Sequence, residues 1–357
     1  MAVISAPWAV TAFATLLLAV QAHALSLTTE QQAGMRVIFS YSGLNPPQSL
    51  LDHIANGTAA GVIFFGGNVG SNFSAVVTQL KAANAKSPTG LPLLLMTDQE
   101  GGEVRRLSGA PTLSAKQIGA STNPTQAATS AGQGAGTNML SYGLNVNLAP
   151  ILGVYRSSGD FLDYYERSFG MTAGLVTNCT SAFIKAQQAT GVAATAKHFP
   201  GLGAALHTQN TDAGVVNLTM SRSVLSTIDE VPYPTAIADG VKLVMPSWAV
   251  YTQVDSMPSG LSTYWLQSEL RGRLGFKGVT ISDAIEAGAL SPYGTYGQRA
   301  VLAARAGIDL VLASAQDVTE GEQVLAALVE ALTNGQLNTT DAAAAVNRII
   351  ALRQSFE

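Results

Sequence analysis

The chain has 357 residues, of which 47% are apolar and 12% charged, so it can bury a large core without staples. Its net charge is -4, with lysines and arginines scattered along its length, which argues against nucleic acid or any other phosphate-rich partner. The lone cysteine, Cys179, excludes an internal disulfide.

In chain order, Trp8 to Val20 is almost wholly apolar and is followed by Ala22-His23-Ala24, small residues at the -3 and -1 places of a signal-peptidase site. Residues 1–24 are therefore expected to be a signal peptide and 25–357 the mature, secreted domain, with no membrane attachment after cleavage. The apolar run, about 13 residues, is short for a bilayer span. Sequons at Asn56, Asn72, Asn178, Asn217 and Asn338 fit a glycoprotein of the secretory route.

Eight short apolar runs then read as strands: Val37–Ser40, Gly61–Phe65, Leu93–Thr97, Leu144–Leu148, Gly191–Ala196, Lys242–Pro246, Gly278–Ser282 and Ile308–Ala313. Longer amphipathic stretches alternate with them, among them Ser74–Ala85, Gln126–Tyr142, Ala173–Thr190 and Gly297–Ala306. A closing helix is expected over Thr340–Ser355, opened by a Thr-Asp cap. Cys179 lies four residues from both Leu175 and Phe183 and reads as a small core residue on a helix face, while His53, on a helix-like stretch with Leu50, Leu51 and Ile54, reads as surface or core packing rather than chemistry. No linker or change of composition divides the chain. The expectation is an α/β fold, a single-domain (β/α)8 TIM barrel.

In such a barrel chemistry sits at the C-terminal ends of the strands. There the chain places Asp98-Gln99-Glu100-Gly101-Gly102 with Arg106 just beyond, Arg167-Ser168-Phe169-Gly170, Lys197-His198-Phe199-Pro200-Gly201 and Ser282-Asp283. Asp, Arg, Lys and His side chains suit a neutral polyol, whose hydroxyls both donate and accept hydrogen bonds. Splitting a glycosidic bond needs a carboxylate at the anomeric carbon and a proton donor for the leaving oxygen. Asp283 follows a nearly uninterrupted buried strand that would hold its carboxylate rigidly.

These four motifs, in this order and spacing, resemble glycoside hydrolase family 3, and within it the single-domain β-N-acetylglucosaminidase branch, from about Leu27 to the C-terminus. The resemblance implies that Asp283 is the nucleophile of a retaining mechanism with a covalent glycosyl-enzyme intermediate. It implies that Asp98, Arg167, Lys197 and His198 bind the sugar, with Arg106 supporting them, and that no metal or organic cofactor takes part. The implied protein is an exo-acting, monomeric β-N-acetylhexosaminidase-like glycosidase with a carbohydrate substrate.

One part of the pattern is missing. The branch carries Lys-His-Phe-Pro-Gly-His-Gly, four residues, then Asp-Ser-His, whose Asp and His form the acid/base dyad. Here Leu202 replaces the second His, and Thr208-Gln209-Asn210 occupy the Asp-Ser-His places. His207 and Asp212 are the two substitute candidates. An imidazole titrates near neutrality unaided, whereas a carboxyl needs burial or a like charge to keep its proton. Trp248, near where the family has a His, either stacks on a sugar or caps the barrel. The alternatives are a sugar-binding barrel without efficient turnover, or a specificity of the β-glucosidase type.

Overall fold

The structure is a computed structural model and describes residues 27–357; the expected signal peptide lies outside the described residues. Eight strands close a barrel: β1 (Val37–Phe39), β2 (Gly61–Ile63), β3 (Leu94–Thr97), β4 (Val146–Asn147), β5 (Ala193–Phe199), β6 (Leu243–Pro246), β7 (Val279–Ala284) and β8 (Leu310–Leu312). Each pairs in parallel with its sequence neighbours, and β8 returns to β1. All eight expected strands are present, and the fold is the expected (β/α)8 barrel.

Strand parity sorts the side chains. Ile38, Ile63, Leu94, Met96, Val146, Ala193, Leu243, Val279, Ile281 and Leu310 fill the barrel interior as one cluster. Their neighbours Phe39, Val62, Leu95, Ala194, Val244 and Val311 pack in a second cluster shared with the surrounding helices. Two-residue periodicity makes this division unavoidable. Continued past the interior layers, the same parity turns Asp98, Lys197 and Asp283 inward, because they lie two residues beyond Met96, Thr195 and Ile281.

The expected helices appear at Phe73–Asn84, Pro124–Ser141, Ala173–Gln188, Tyr296–Ala306 and Thr339–Gln354. The last begins one step earlier than the Thr-Asp reading placed it. Asn338 is its cap, its side-chain oxygen accepting from the N–H groups of Thr340 (2.9 Å) and Asp341 (3.1 Å). Another 16-residue helix, Val318–Thr333, follows β8. Cys179 is buried in the helix core, and His53 stacks on Phe39 at 5.2 Å between ring centroids, so both serve packing. Asn56, Asn178, Asn217 and Asn338 are exposed. Among the described residues no helix is long and apolar enough to cross a membrane.

The end of the barrel opposite the strand C-termini is clasped by one buried carboxylate. Asp309, just before β8, accepts from Arg271 Nη2 (2.7 Å), Arg348 Nη2 (2.6 Å) and Nε (3.0 Å), and the Thr280 N–H (2.9 Å). It thereby ties β7 and β8 to the closing helix. Replacing it leaves two arginines facing each other without their counter-charge, which is more costly than losing a surface pair. Asp309→Ala should lower the unfolding free energy by about 3–5 kcal/mol, measured by denaturant titration, with strand-end chemistry unaffected in the protein that remains folded.

Candidate active site

The C-terminal mouth of the barrel holds a cavity of about 430 Å³ lined by Asp98, Arg106, Arg167, Lys197, His198, Asp212 and Asp283, among others. Its electrostatics rest on a buried four-charge cluster. Arg167 donates to Glu100 through Nε (3.0 Å) and Nη2 (2.8 Å), a two-pronged contact. Lys197 Nζ bridges Glu100 and Asp98, both at 2.8 Å. Burial opposes the charges of Glu100, Arg167 and Lys197, yet their partners prevail. Arg167 and Lys197 hold the Glu100 carboxyl well below the usual carboxylate range. Lys197, also against burial, is raised by Asp98 and Glu100.

The cluster is electrically closed, two cations against two anions, and this decides the state of Asp283. Both cations of the cluster are engaged within it, and among the described residues neither forms an ion pair with Asp283. Its Oδ1 accepts from the Ala284 N–H (2.8 Å), and Oδ2 lies 3.8 Å from His198 Nε2. Burial, with Lys197 and Arg167 nearby, pushes the His198 imidazole well below its usual value, so the ring is neutral. Burial first, and then the negative charge of Asp212, raise the Asp283 carboxyl to about 7.

Asp283 is rigidly mounted. Ser282 Oγ accepts from the Leu312 N–H (2.9 Å) and donates to the Asp283 carbonyl (2.7 Å), locking the end of β7 onto β8. Behind it Trp248 is 1% exposed and donates from Nε1 to the Ala284 carbonyl (2.9 Å). This tryptophan braces the strand end from within the core; it does not present a face to the cavity.

The two substitute candidates separate. Asp212 is held at the cavity by backbone contacts to the segment after β7: its carbonyl accepts from Gly288 N–H (2.9 Å), and that of Thr211 from Ala289 N–H (2.9 Å). A Cβ on Gly288 would come within 2.6 Å of the Ala213 backbone, so the close approach depends on glycine. Asn210 Oδ1 caps the turn by accepting from the Asp212 N–H (2.9 Å). His207 does not line the cavity. It is exposed and stacks on Tyr164, 3.8 Å between ring centroids.

Comparison with known proteins follows the same lines. The profile of the glycosyl hydrolase family 3 N terminal domain matches residues 25–352. The chain belongs to glycosyl hydrolase family 3. An uncharacterized secreted glycosyl hydrolase of Arthroderma benhamiae is 47% identical over 340 residues, 94% of this chain and 96% of that protein. A family 3 β-N-acetylglucosaminidase from Paenibacillus sp. superposes with a TM-score of 0.86 at 30% identity, over 93% of this chain and 63% of that one. The β-N-acetylhexosaminidase of Beutenbergia cavernae gives 0.83 at 32% identity, over 92% and 99%.

Two carboxylates of this family 3 site went unassigned in the sequence. Glu100 was visible inside its motif but not as the partner of both Arg167 and Lys197. Glu286, three residues past Asp283, also lines the cavity and accepts from Ser314 Oγ (2.8 Å). It stands beside buried Glu320, whose carboxyl burial and the Glu286 charge push up to about 8. Its position just after a strand end was the available signal. Arg106 lines the cavity as expected, and its Nε has no hydrogen-bond partner among the described residues.

The raised Asp283 carboxyl has a consequence for stability. The folded protein keeps this proton up to about pH 7, whereas an unfolded chain loses it near the ordinary carboxylate value. The group favours folding at low pH, and that contribution is lost as pH rises through about 7. Asp283→Asn keeps the hydrogen bond from Ala284 and removes the charge. Thermal melts should show it raising Tm by on the order of a few degrees at pH 8, with the gain shrinking toward pH 4. An equal shift at both pH values would contradict the assignment.

Proposed function

We propose that this chain is a secreted, exo-acting, retaining β-glycosidase of the β-N-acetylhexosaminidase type, with Asp283 as nucleophile and Asp212 as proton donor and acceptor. The observation that carries the reading is the pairing of these two carboxylates across one cavity, Asp212 being the strongest charge acting on Asp283 after burial itself. Two carboxyl groups with unlike surroundings flanking one site are what glycoside hydrolysis requires. The amino-sugar specificity is supported by the Paenibacillus and Beutenbergia proteins, and secretion by the Arthroderma relative.

In this mechanism an Asp283 oxygen attacks the anomeric carbon as its bond to the leaving oxygen breaks, and Asp212 delivers a proton to that oxygen. Water then attacks the same carbon, Asp212 takes the water's proton, and the Asp283–sugar bond breaks, restoring both groups. The productive form has the proton on Asp212 and the charge on Asp283. A sugar favours that form because the developing positive charge at the anomeric carbon stabilises an ionised Asp283. Neutral His198 offers Asp283 no permanent ion pair, so the nucleophile is not quenched. Asp98, Arg167 and Lys197, with Arg106 at the rim, hold the sugar hydroxyls on a scaffold already ordered by Glu100.

Hydrolysis of aryl β-N-acetylglucosaminides with good and poor leaving groups tests both assignments. Asp283→Asn should slow both by about a thousandfold or more. Asp212→Asn should slow the poor leaving group by about a hundredfold or more while sparing the activated one, since only the former needs a proton. His207→Ala should leave the ratio between the two at its wild-type value. Sugar binding without turnover of any substrate would favour a non-catalytic barrel, and aryl glucosides turned over in preference would move the specificity to glucose.

A further inference from the structure

A second feature leads out of the same cavity. Phe161 lines the cavity wall, and from it a run of aromatic rings continues to the surface. Phe161 meets Tyr165 at 5.2 Å, Tyr165 meets Tyr164 at 4.9 Å, and Tyr164 meets His207 at 3.8 Å between centroids. Tyr164 is 57% exposed, Tyr165 38%, and Leu206 beside them 59%. Exposed rings gathered into one patch are the mark of an interaction surface.

The run is held in place rather than loose. The short helix Phe161–Tyr164 is fixed by Asp160, whose carboxylate accepts from the N–H groups of Arg156 (2.9 Å) and Ser157 (2.6 Å). Asp163 is fixed by Gly159 N–H and Lys116 Nζ, both at 2.8 Å. The Phe161 N–H donates to the Ala205 carbonyl (2.9 Å), joining this helix to the loop that carries His207. The rings therefore stand ordered before anything binds, which lowers the entropy lost on binding.

We propose that Tyr164, Tyr165 and His207 form the binding platform for the leaving-group sugar of a β-linked amino-sugar oligosaccharide. This rests on the exo-glycosidase reading above: with one ring in the cavity, the next ring of the chain lies at its mouth. A pyranose in a β-linked chain presents a flat array of C–H bonds on each face, and an aromatic ring covers it with little loss of side-chain freedom. The tyrosine hydroxyls and the imidazole supply hydrogen bonds at the edges. A second copy of the chain is a poorer occupant, because the platform is continuous with the cavity wall at Phe161. The substrate class is thus an oligosaccharide rather than a glycoside with a small aglycone, and the assignment gives His207 a role beside the proton donor.

The test compares kcat/KM on N,N'-diacetylchitobiose with that on methyl N-acetyl-β-glucosaminide, whose aglycone is too small to reach the platform. Tyr164→Ala and Tyr165→Ala should each lower the disaccharide-to-methyl ratio by about five- to tenfold, mainly through KM, and Tyr164→Phe should restore it. A ratio unchanged in both alanine variants overturns the platform while the glycosidase reading stands. An unchanged ratio together with dissociation of a wild-type dimer, seen by sedimentation, assigns the rings to a second copy instead. A wild-type protein that hydrolyses neither substrate refutes the underlying reading, and the platform with it.

Discussion

The contact between Lys197 and the two carboxylates of Asp98 and Glu100 is the point on which the site turns. Lys197 is 2% exposed at the end of β5, where an unpaired ammonium would be expensive. Two anions make it tolerable against burial and the repulsion of the Arg167 guanidinium, and the four groups together carry no net charge. That neutrality has two effects. It builds a rigid polar floor suited to hydroxyl groups, and it leaves Asp283 without a strong counter-ion, so that burial and Asp212 govern its proton.

The barrel makes this arrangement possible by geometry alone. Alternation along three strands turns Asp98, Lys197 and Asp283 into the mouth. The closed ring of parallel strands then brings residues 99 and 86 positions apart in sequence into one cavity. Arg167 enters from a loop and Glu100 from a short strand, Gln99–Gly101, and their two-pronged contact compensates for the looser support of the loop. At the opposite end Asp309 performs a mechanical task with the same chemistry, a buried carboxylate between arginines. Charge is scarce in this chain, and much of it is spent at the two ends of the barrel.

Much of this was legible in the sequence. The eight strands stand out because each is a short apolar run with punctuation on both sides, and the inward set follows from parity once a run is placed. Asp98, Arg106, Arg167, Lys197, His198 and Asp283 all line the cavity because they follow those runs or lie in motifs beside them. Other features depend on contacts between distant segments, which spacing does not encode. Asp212 reaches the cavity through backbone bonds to residues 288 and 289, and His207, only five residues earlier, is drawn away by Tyr164. Trp248 is core because Gly260 allows its ring to lie against the backbone, a Cβ there falling 2.4 Å from the indole. The cap at Asn338 differs by two residues from its expected place because Asn, Thr and Asp compete in one short stretch.

In the proposed mechanism Asp283 becomes covalently bonded to the sugar while Asp212 handles the proton. The most direct measurement is mass spectrometry of the intact and protease-digested protein after reaction with an activated 5-fluoro-N-acetyl-β-glucosaminide, which slows breakdown of a glycosyl-enzyme. The expected result is a stoichiometric mass increase of one fluorosugar, mapped to the peptide carrying Asp283 and longer-lived in Asp212→Ala, where the general base is gone. Steady hydrolysis with no adduct under conditions that saturate the enzyme, or an adduct on another residue, would contradict it.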